Sequence, residues 1–309
     1  MSLAPNFADR MMAALVARNS RLCVGLDPRA ADLPQEAWPS PSTSFSPVDA
    51  VRKFCGDILD ATAPFAAVVK LQAAFFEALG PEGMSVFFDI AAAARKLGLI
   101  TIADVKRSDI GSTAEAYAHA YLSSSTARDA YDAITVNAYF GFDSVAPFAL
   151  AAKEGGQGIF IVVRSSNPSA HEIQDLHLID SRLVHEAVAE LVRDWGHDLV
   201  GDSGYSSIGA VAGATAPHHL ASLRVLMPEQ PLLVPGYGAQ GAGPQDVVAA
   251  FDENSLGAVV NSSRGIMYAY RAPAYADRFS AADYADAAAA AARDTRDAIN
   301  EALRVKNID

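Results

Sequence analysis

The sequence predicts an α/β fold, a closed (β/α)8 barrel. Three observations carry it: eight short apolar runs, longer amphipathic segments between them, and a length that suits eight such units. The runs are Leu22–Leu26, Ala67–Leu71, Leu99–Ala103, Ala133–Val136, Ile159–Val163, Ile208–Ala212, Leu232–Val234 and Gly257–Val260. They are apolar throughout rather than alternating, as parallel strands covered on both faces are. Between the first two, Val48–Ala63 carries Val51, Phe54, Cys55, Ile58 and Leu59 at helical spacing. Eight strand–helix units in about 250 residues fit a barrel better than an open doubly wound sheet, so residues 1–309 read as one domain. Pro28–Pro47 holds five prolines and several serines and reads as a long ordered insertion after strand 1. Ala281–Val305 is Ala-rich and reads as one long C-terminal helix.

Composition narrows the function classes. The chain has 309 residues, 51% hydrophobic and 19% charged, which excludes disordered, collagen-like and disulfide-scaffold proteins. A net charge of −12 argues against a broad electrostatic grip on nucleic acid or an anionic membrane. A phosphate can still be held locally by a few Arg side chains and backbone amides. Cys23 and Cys55 cannot build a disulfide framework or a thiolate zinc site and read as core residues in a reducing compartment. Asp9 and Arg10 interrupt any signal-peptide pattern, and no apolar run reaches the ~18 residues a bilayer span needs. The expectation is a cytoplasmic protein without nucleic-acid or membrane partners.

Some motifs mislead. Gly236-Tyr-Gly-Ala-Gln-Gly241 fits a dinucleotide fingerprint, but Gly243-Pro244 delays the helix and Val259-Val-Asn-Ser262 stands where an acidic residue is needed. A glycine loop whose amides wrap one phosphate is the better reading. Gly201-Asp-Ser-Gly204 is similar to the nucleophile segment of trypsin-like proteases, which are all-β, so here it reads as a turn. The seven histidines (119, 171, 177, 185, 197, 218 and 219) show no familiar ligand spacing and read as surface or capping residues.

The informative segment is Ile102-Ala-Asp-Val-Lys-Arg-Ser-Asp-Ile-Gly-Ser-Thr113. Asp104 and Lys106, two apart at the end of the third strand, face the same side. That end of a barrel is where its active site lies. Burying Asp beside Lys is costly unless they pair with each other or with a ligand, and by themselves they read more readily as a structural ion pair than as a catalytic one. Other strand ends change the balance: Lys70 lies within Val68-Val-Lys-Leu-Gln72, and Asp27 ends Gly25-Leu-Asp-Pro28. The loops after strands 7 and 8, the usual phosphate site of this fold, hold glycines and Arg264.

On these residues the sequence resembles the orotidine 5′-phosphate decarboxylase family from about Leu22 to Gly265. The strongest part is Asp104-x-Lys106-x-x-Asp109-Ile110-x-x-Thr113 preceded by Lys70. The Pro-rich insertion, Arg164-Ser-Ser-Asn-Pro168 and Pro235–Gly241 are similar to the family's longer bacterial branch. The resemblance implies a TIM barrel with Lys70, Asp104, Lys106 and Asp109 as a charged catalytic tetrad. It implies that Asp109, Ile110 and Thr113 reach into a neighbouring subunit's site, which makes a homodimer with shared active sites. Asp27 would hold a ribose hydroxyl, Ser165 (or Ser166 beside it) the pyrimidine, and Gln240 with Arg264 the phosphate.

The implied reaction takes orotidine 5′-monophosphate to uridine 5′-monophosphate and CO2 in pyrimidine biosynthesis. No cofactor motif or metal cluster is visible in the sequence, so charge placement must stabilise the ring carbanion, with Lys106 as its proton donor. The D-x-K-x-x-D pattern is also similar to Mg2+-dependent sugar-phosphate decarboxylases and aldolases of the same superfamily. Those carry a carboxylate near the end of strand 2, where Lys70 stands here. A non-catalytic nucleotide-binding barrel is the other alternative.

Overall fold

The computed structural model describes residues 5–38, 46–122 and 131–308. Eight parallel strands close in sequence order, each hydrogen-bonded to the next and β8 to β1. They are β1 Leu22–Leu26, β2 Val68–Gln72, β3 Ile100–Arg107, β4 Ala133–Val136, β5 Gly158–Arg164, β6 Ile208–Ala212, β7 Leu232–Pro235 and β8 Ala258–Ser262. Three match the sequence expectation residue for residue. The largest difference is at β3, which continues to Arg107 through three charged positions and Val105 that an apolar run cannot reveal.

The helices in chain order are α1 Phe7–Ala17, α2 Pro47–Thr62, α3 Ala73–Glu77, α4 Gly80–Lys96, α5 Gly111–Leu122 and α6 Phe142–Gly155. They continue as α7 Val184–Gly196, α8 Pro217–Leu226, α9 Pro244–Val247, α10 Arg264–Met267, α11 Pro273–Ala276 and α12 Tyr284–Lys306. Local chemistry starts α2: Pro47 takes the first helical position, and Ser46 and Asp49 exchange side-chain and backbone hydrogen bonds. Its apolar face, Val51, Phe54, Cys55, Ile58 and Leu59, is buried as expected. The Pro-rich insertion forms two single 3-10 turns, Ala30–Asp32 and Gln35–Ala37, while positions 39–45 lie outside the described residues. The expected C-terminal helix is α12, and a 3-10 turn at Ala281–Asp283 leads into it. No helix among the described residues is long and apolar enough to cross a membrane.

Strand alternation divides the apolar residues between two cores. Val24, Val69, Leu71, Ile134, Ile161, Val234 and Val260 point outward into the layer beneath the helices. Cys23, Val68, Ile102, Ala133, Phe160, Leu233 and Val259 point into the barrel, where α1 joins them through Phe7, Met11, Met12 and Leu15. Helix α1 therefore closes the N-terminal end, with Phe7 edge-on to Phe160 at 5.9 Å. Gly158 makes room for it, because a Cβ there would lie 2.1 Å from Phe7 Cδ1. Each fully buried Phe or Met of this plug stabilises the fold by roughly 1.5–3 kcal/mol.

In four of the strands the inward positions then turn polar, two residues further along. Val68 is followed at that spacing by Lys70, Ile102 by Asp104, Ala133 by Thr135 and Val259 by Asn261. All four polar side chains are buried. An apolar floor thus carries a polar layer at the C-terminal mouth, which is what positions the site.

Candidate active site

Over that layer lies a cavity of about 260 Å3, close to the lower end of the roughly 300–1,000 Å3 usual for small-molecule pockets. Asp27, Lys70, Asp104, Lys106, Ser165, Gln240 and Arg264 line it, so seven of the ten predicted site residues meet there. Asp109, Ile110 and Thr113 do not. They stand between β3 and the first turn of α5, with Asp109 Oδ1 accepting the Ile110 amide at 2.9 Å and Ile110 exposed.

The charged residues form a row of alternating sign. Asp27 Oδ1 is 3.8 Å from Lys70 Nζ, Lys70 donates to Asp104 Oδ2 at 2.7 Å, and Asp104 Oδ1 pairs with Lys106. Gln72 Nε2 adds a hydrogen bond to Asp104 Oδ2 at 3.1 Å. Burial by itself would push the Asp104 carboxyl up, but the charges of Lys70 and Lys106 outweigh it and hold the group well below the usual carboxylate range. Burial would likewise pull Lys70 down, and Asp104 and Asp27 raise it above an ordinary lysine instead. Both groups are therefore ionised at neutral pH. Asp27 Oδ1 is buried and accepts no hydrogen bond among the described residues. The Asp27 side chain as a whole is about a quarter exposed and lines the cavity.

Backbone geometry at the mouth is unusual. Between the pairs Ala103↔Ile134 and Arg107↔Val136, three β3 residues face the single residue Thr135. This bulge puts Lys106 at φ +44°, a left-handed conformation that non-glycine residues rarely adopt. Gly25 serves the same end of the barrel: a Cβ there would lie 1.9 Å from Ser263 Oγ.

The loop after β7 corrects one expectation. The amides of Gly238, Ala239 and Gly241 are bonded to carbonyls within the loop, at 2.9, 3.1 and 2.8 Å. Three amides of the loop are thus engaged within it, while the amides of Gln240, Arg264 and Gly265, with the side chains of Gln240 and Arg264, are left for an anion. The Gly201–Gly204 segment is the expected turn, held by Asp9 accepting the Asp202 and Ser203 amides.

The histidine reading fails at His185, which is fully buried. The chain after β5 folds back so that Asp175 meets the first turn of α7, where His185 Nδ1 lies 3.1 Å from Asp175 Oδ1. Asp175, His185 and His219 bring potential ligand atoms within 4.8 Å of one another. The Arg164 guanidinium already fills both Asp175 oxygens, at 3.0 and 2.8 Å, so a fixed cation is in place. Next to it, Gln174 accepts the Ser165 amide at 2.8 Å and donates to Ser165 Oγ at 2.9 Å. Ser165 and Ser166 both line the cavity.

Sequence reasoning missed Thr135, Gln72, Asn261 and Gln174. The first three lie at inward positions that period-two counting from Ala133, Lys70 and Val259 would have reached. Gln174 had no such signal, since it arrives from a loop.

Comparison with known proteins agrees across most of the chain. The sequence pattern of the Orotidine 5′-phosphate decarboxylase / HUMPS family matches residues 20–279. The orotidine 5′-phosphate decarboxylase of Rhodopirellula baltica is 44% identical over 290 residues, covering 92% of this chain and 96% of its own. That of Deinococcus radiodurans is 42% identical, covering 86% and 91%. Among solved structures, the OMP decarboxylase of Leishmania donovani superposes with TM-score 0.73 at 29% identity, covering 97% of this chain and 99% of its own.

Proposed function

The chain belongs to the orotidine 5′-phosphate decarboxylase family, and from that premise we propose how its barrel mouth turns orotidine 5′-monophosphate into uridine 5′-monophosphate and CO2. The observation that carries the reading is the row Asp27, Lys70, Asp104, Lys106, with alternating charges beside Gln240 and Arg264. The bond from the ring carbon to its carboxylate breaks, CO2 leaves, and the electron pair stays on the ring carbon. The Lys106 ammonium stabilises that pair and then donates its proton to it, to be reprotonated from solvent.

Asp104 faces the departing carboxylate. Two unit charges about 4 Å apart interact by about 4 kcal/mol at an effective dielectric of 20. Enzymes commonly lower barriers by roughly 8–23 kcal/mol, so repulsion is the smaller contribution and Lys106 the larger. Lys70 keeps Asp104 ionised and in place. Asp27, whose side chain lines the cavity, takes a ribose hydroxyl, the Ser165–Ser166 turn takes the polar edge of the pyrimidine, and Gln240 with Arg264 holds the phosphate. Binding energy at the phosphate is used remotely, to position the ring.

Asp109, Ile110 and Thr113 complete the site of a second copy. Their absence from the cavity of their own chain supports this, as does the exposed apolar surface near them. Tyr139 is 84% exposed, and Ile110, Phe140, Phe142 and Leu150 are each about half exposed. The enzyme is then a carbon–carbon lyase, a single-domain cytoplasmic homodimer with shared active sites. It needs no metal or cofactor.

The test is loss of the substrate's ultraviolet band when orotidine 5′-monophosphate is mixed with the protein in EDTA. Rapid loss is expected, and Lys106→Ala should abolish it while uridine 5′-monophosphate still binds. Wild-type-like turnover by that variant overturns the role given to Lys106. Turnover only of a sugar phosphate with Mg2+ overturns the substrate.

A further inference from the structure

The bulge in β3 is filled by one side chain. Thr135 is 1% exposed, and its hydroxyl sits among the three residues that β4 would otherwise leave unpaired. Its oxygen accepts the Val105 amide at 3.0 Å and the Lys106 amide at 2.9 Å. It donates its proton to Asp104 Oδ1 at 3.0 Å. A hydroxyl has one donor and two acceptor sites, and all three are engaged here.

We infer that Thr135 is a positioning residue for the decarboxylation, holding Lys106 and Asp104 in register through the bulge; this rests on the reading of Lys106 as proton donor. Two extra β3 residues stand opposite Thr135, which bends the strand and disrupts its ladder. Lys106 lines the cavity from a left-handed conformation at its own position. Such a backbone persists only where its surroundings over-determine it. Thr135 supplies that constraint by satisfying two amides that no β4 carbonyl meets. The same hydroxyl points Asp104 Oδ1 at Lys106, so acid and base partners are aligned by one atom. Valine matches threonine in shape but leaves both amides without an acceptor. The strand then relaxes and carries the Lys106 ammonium away from the ring carbon, while groups that bind the nucleotide elsewhere stay put.

The experiment compares full-length Thr135→Val, Thr135→Ser and Lys106→Ala with the parent protein. Thr135→Val is expected to lower kcat by about 10- to 100-fold, the loss that follows a displacement near 1 Å. KM for orotidine 5′-monophosphate and Kd for uridine 5′-monophosphate should stay within about threefold. Thr135→Ser, which keeps the hydroxyl, should restore kcat. If Thr135→Val does not fold, Thr135→Cys takes its place, because a thiol, though it lacks the γ-methyl group, still fills the hydroxyl's position and accepts hydrogen bonds only weakly. Parental kcat in the Val or Cys variant, beside an inactive Lys106→Ala, overturns this inference alone. So does a loss shared equally by kcat and nucleotide affinity, or a Ser variant as impaired as Val. Parental turnover in Lys106→Ala overturns the underlying reading and this inference with it.

Discussion

Lys70 Nζ and Asp104 Oδ2 lie 2.7 Å apart at the base of the cavity, and both side chains are more than nine-tenths buried. Removing ions from water costs several kcal/mol each. The pair is tolerated because Asp104 is also held by Gln72, Thr135 and Lys106.

Breaking that pair on one side should cost more than deleting it. Lys70→Met leaves a buried carboxylate with one cation fewer, and we expect unfolding free energy to fall by about 3 kcal/mol, the low end of the usual range because Lys106 remains. The double variant Lys70→Met with Asp104→Leu should recover most of that stability and none of the turnover. Urea denaturation alongside the decarboxylation assay checks both.

The same pair gives stability two pH limits. Asp104 is held below its ordinary value, so its contribution is complete above about pH 4 and is lost as pH falls through the lower folded value. Lys70 is raised, so its contribution is complete below about pH 10 and is lost as pH rises through the higher folded value. Thermal melts should show the acid limb weakened in Asp104→Asn and the alkaline limb weakened in Lys70→Met.

His219 sets a separate acid sensitivity. Burial lowers its pKa first, with His185, His218 and Arg164 adding to it and Asp175 opposing, to about 4. An unfolded histidine titrates near 6.5, so the unfolded chain binds the extra proton between these values. Stability should therefore decline as pH falls from about 6.5 to 4. His219→Gln should flatten that part of the melting profile, and an unchanged slope would remove the assignment.

Arg264 should act through the phosphate alone. Loss of a charged hydrogen bond costs about 1.5–3 kcal/mol, so Arg264→Ala should weaken uridine 5′-monophosphate binding by about 10- to 150-fold. Binding of uridine, which has no phosphate, should not change. Calorimetry with the two ligands separates the cases, and Gln240→Ala should follow the same pattern more weakly.

Shared sites predict complementation. Asp109→Ala and Lys106→Ala should each be inactive, yet a refolded equimolar mixture should recover activity. Random pairing puts both defects in one site of each mixed dimer and leaves the other intact, so about a quarter of parental sites return. No recovery, with mixed dimers demonstrated, would place Asp109 outside its partner's site.

What the sequence by itself determined was the alternation of strands and helices, the end of the barrel that carries charge, and seven residues that meet there. The alternation and the charged strand ends follow from local rules, since a buried strand is an apolar run and period-two spacing says which residues share a face; Ser165 and Gln240 came only from the family resemblance. The folded chain alone decided the bulge at Lys106, the Thr135 hydroxyl that holds it, and the burial of His185 against Asp175. It also decided that the β7 loop closes three of its amides on itself. Each of these depends on which partners arrive from distant segments to satisfy a backbone amide or a charge. Hydrophobic periodicity records burial along one strand and is silent about what lies across from it.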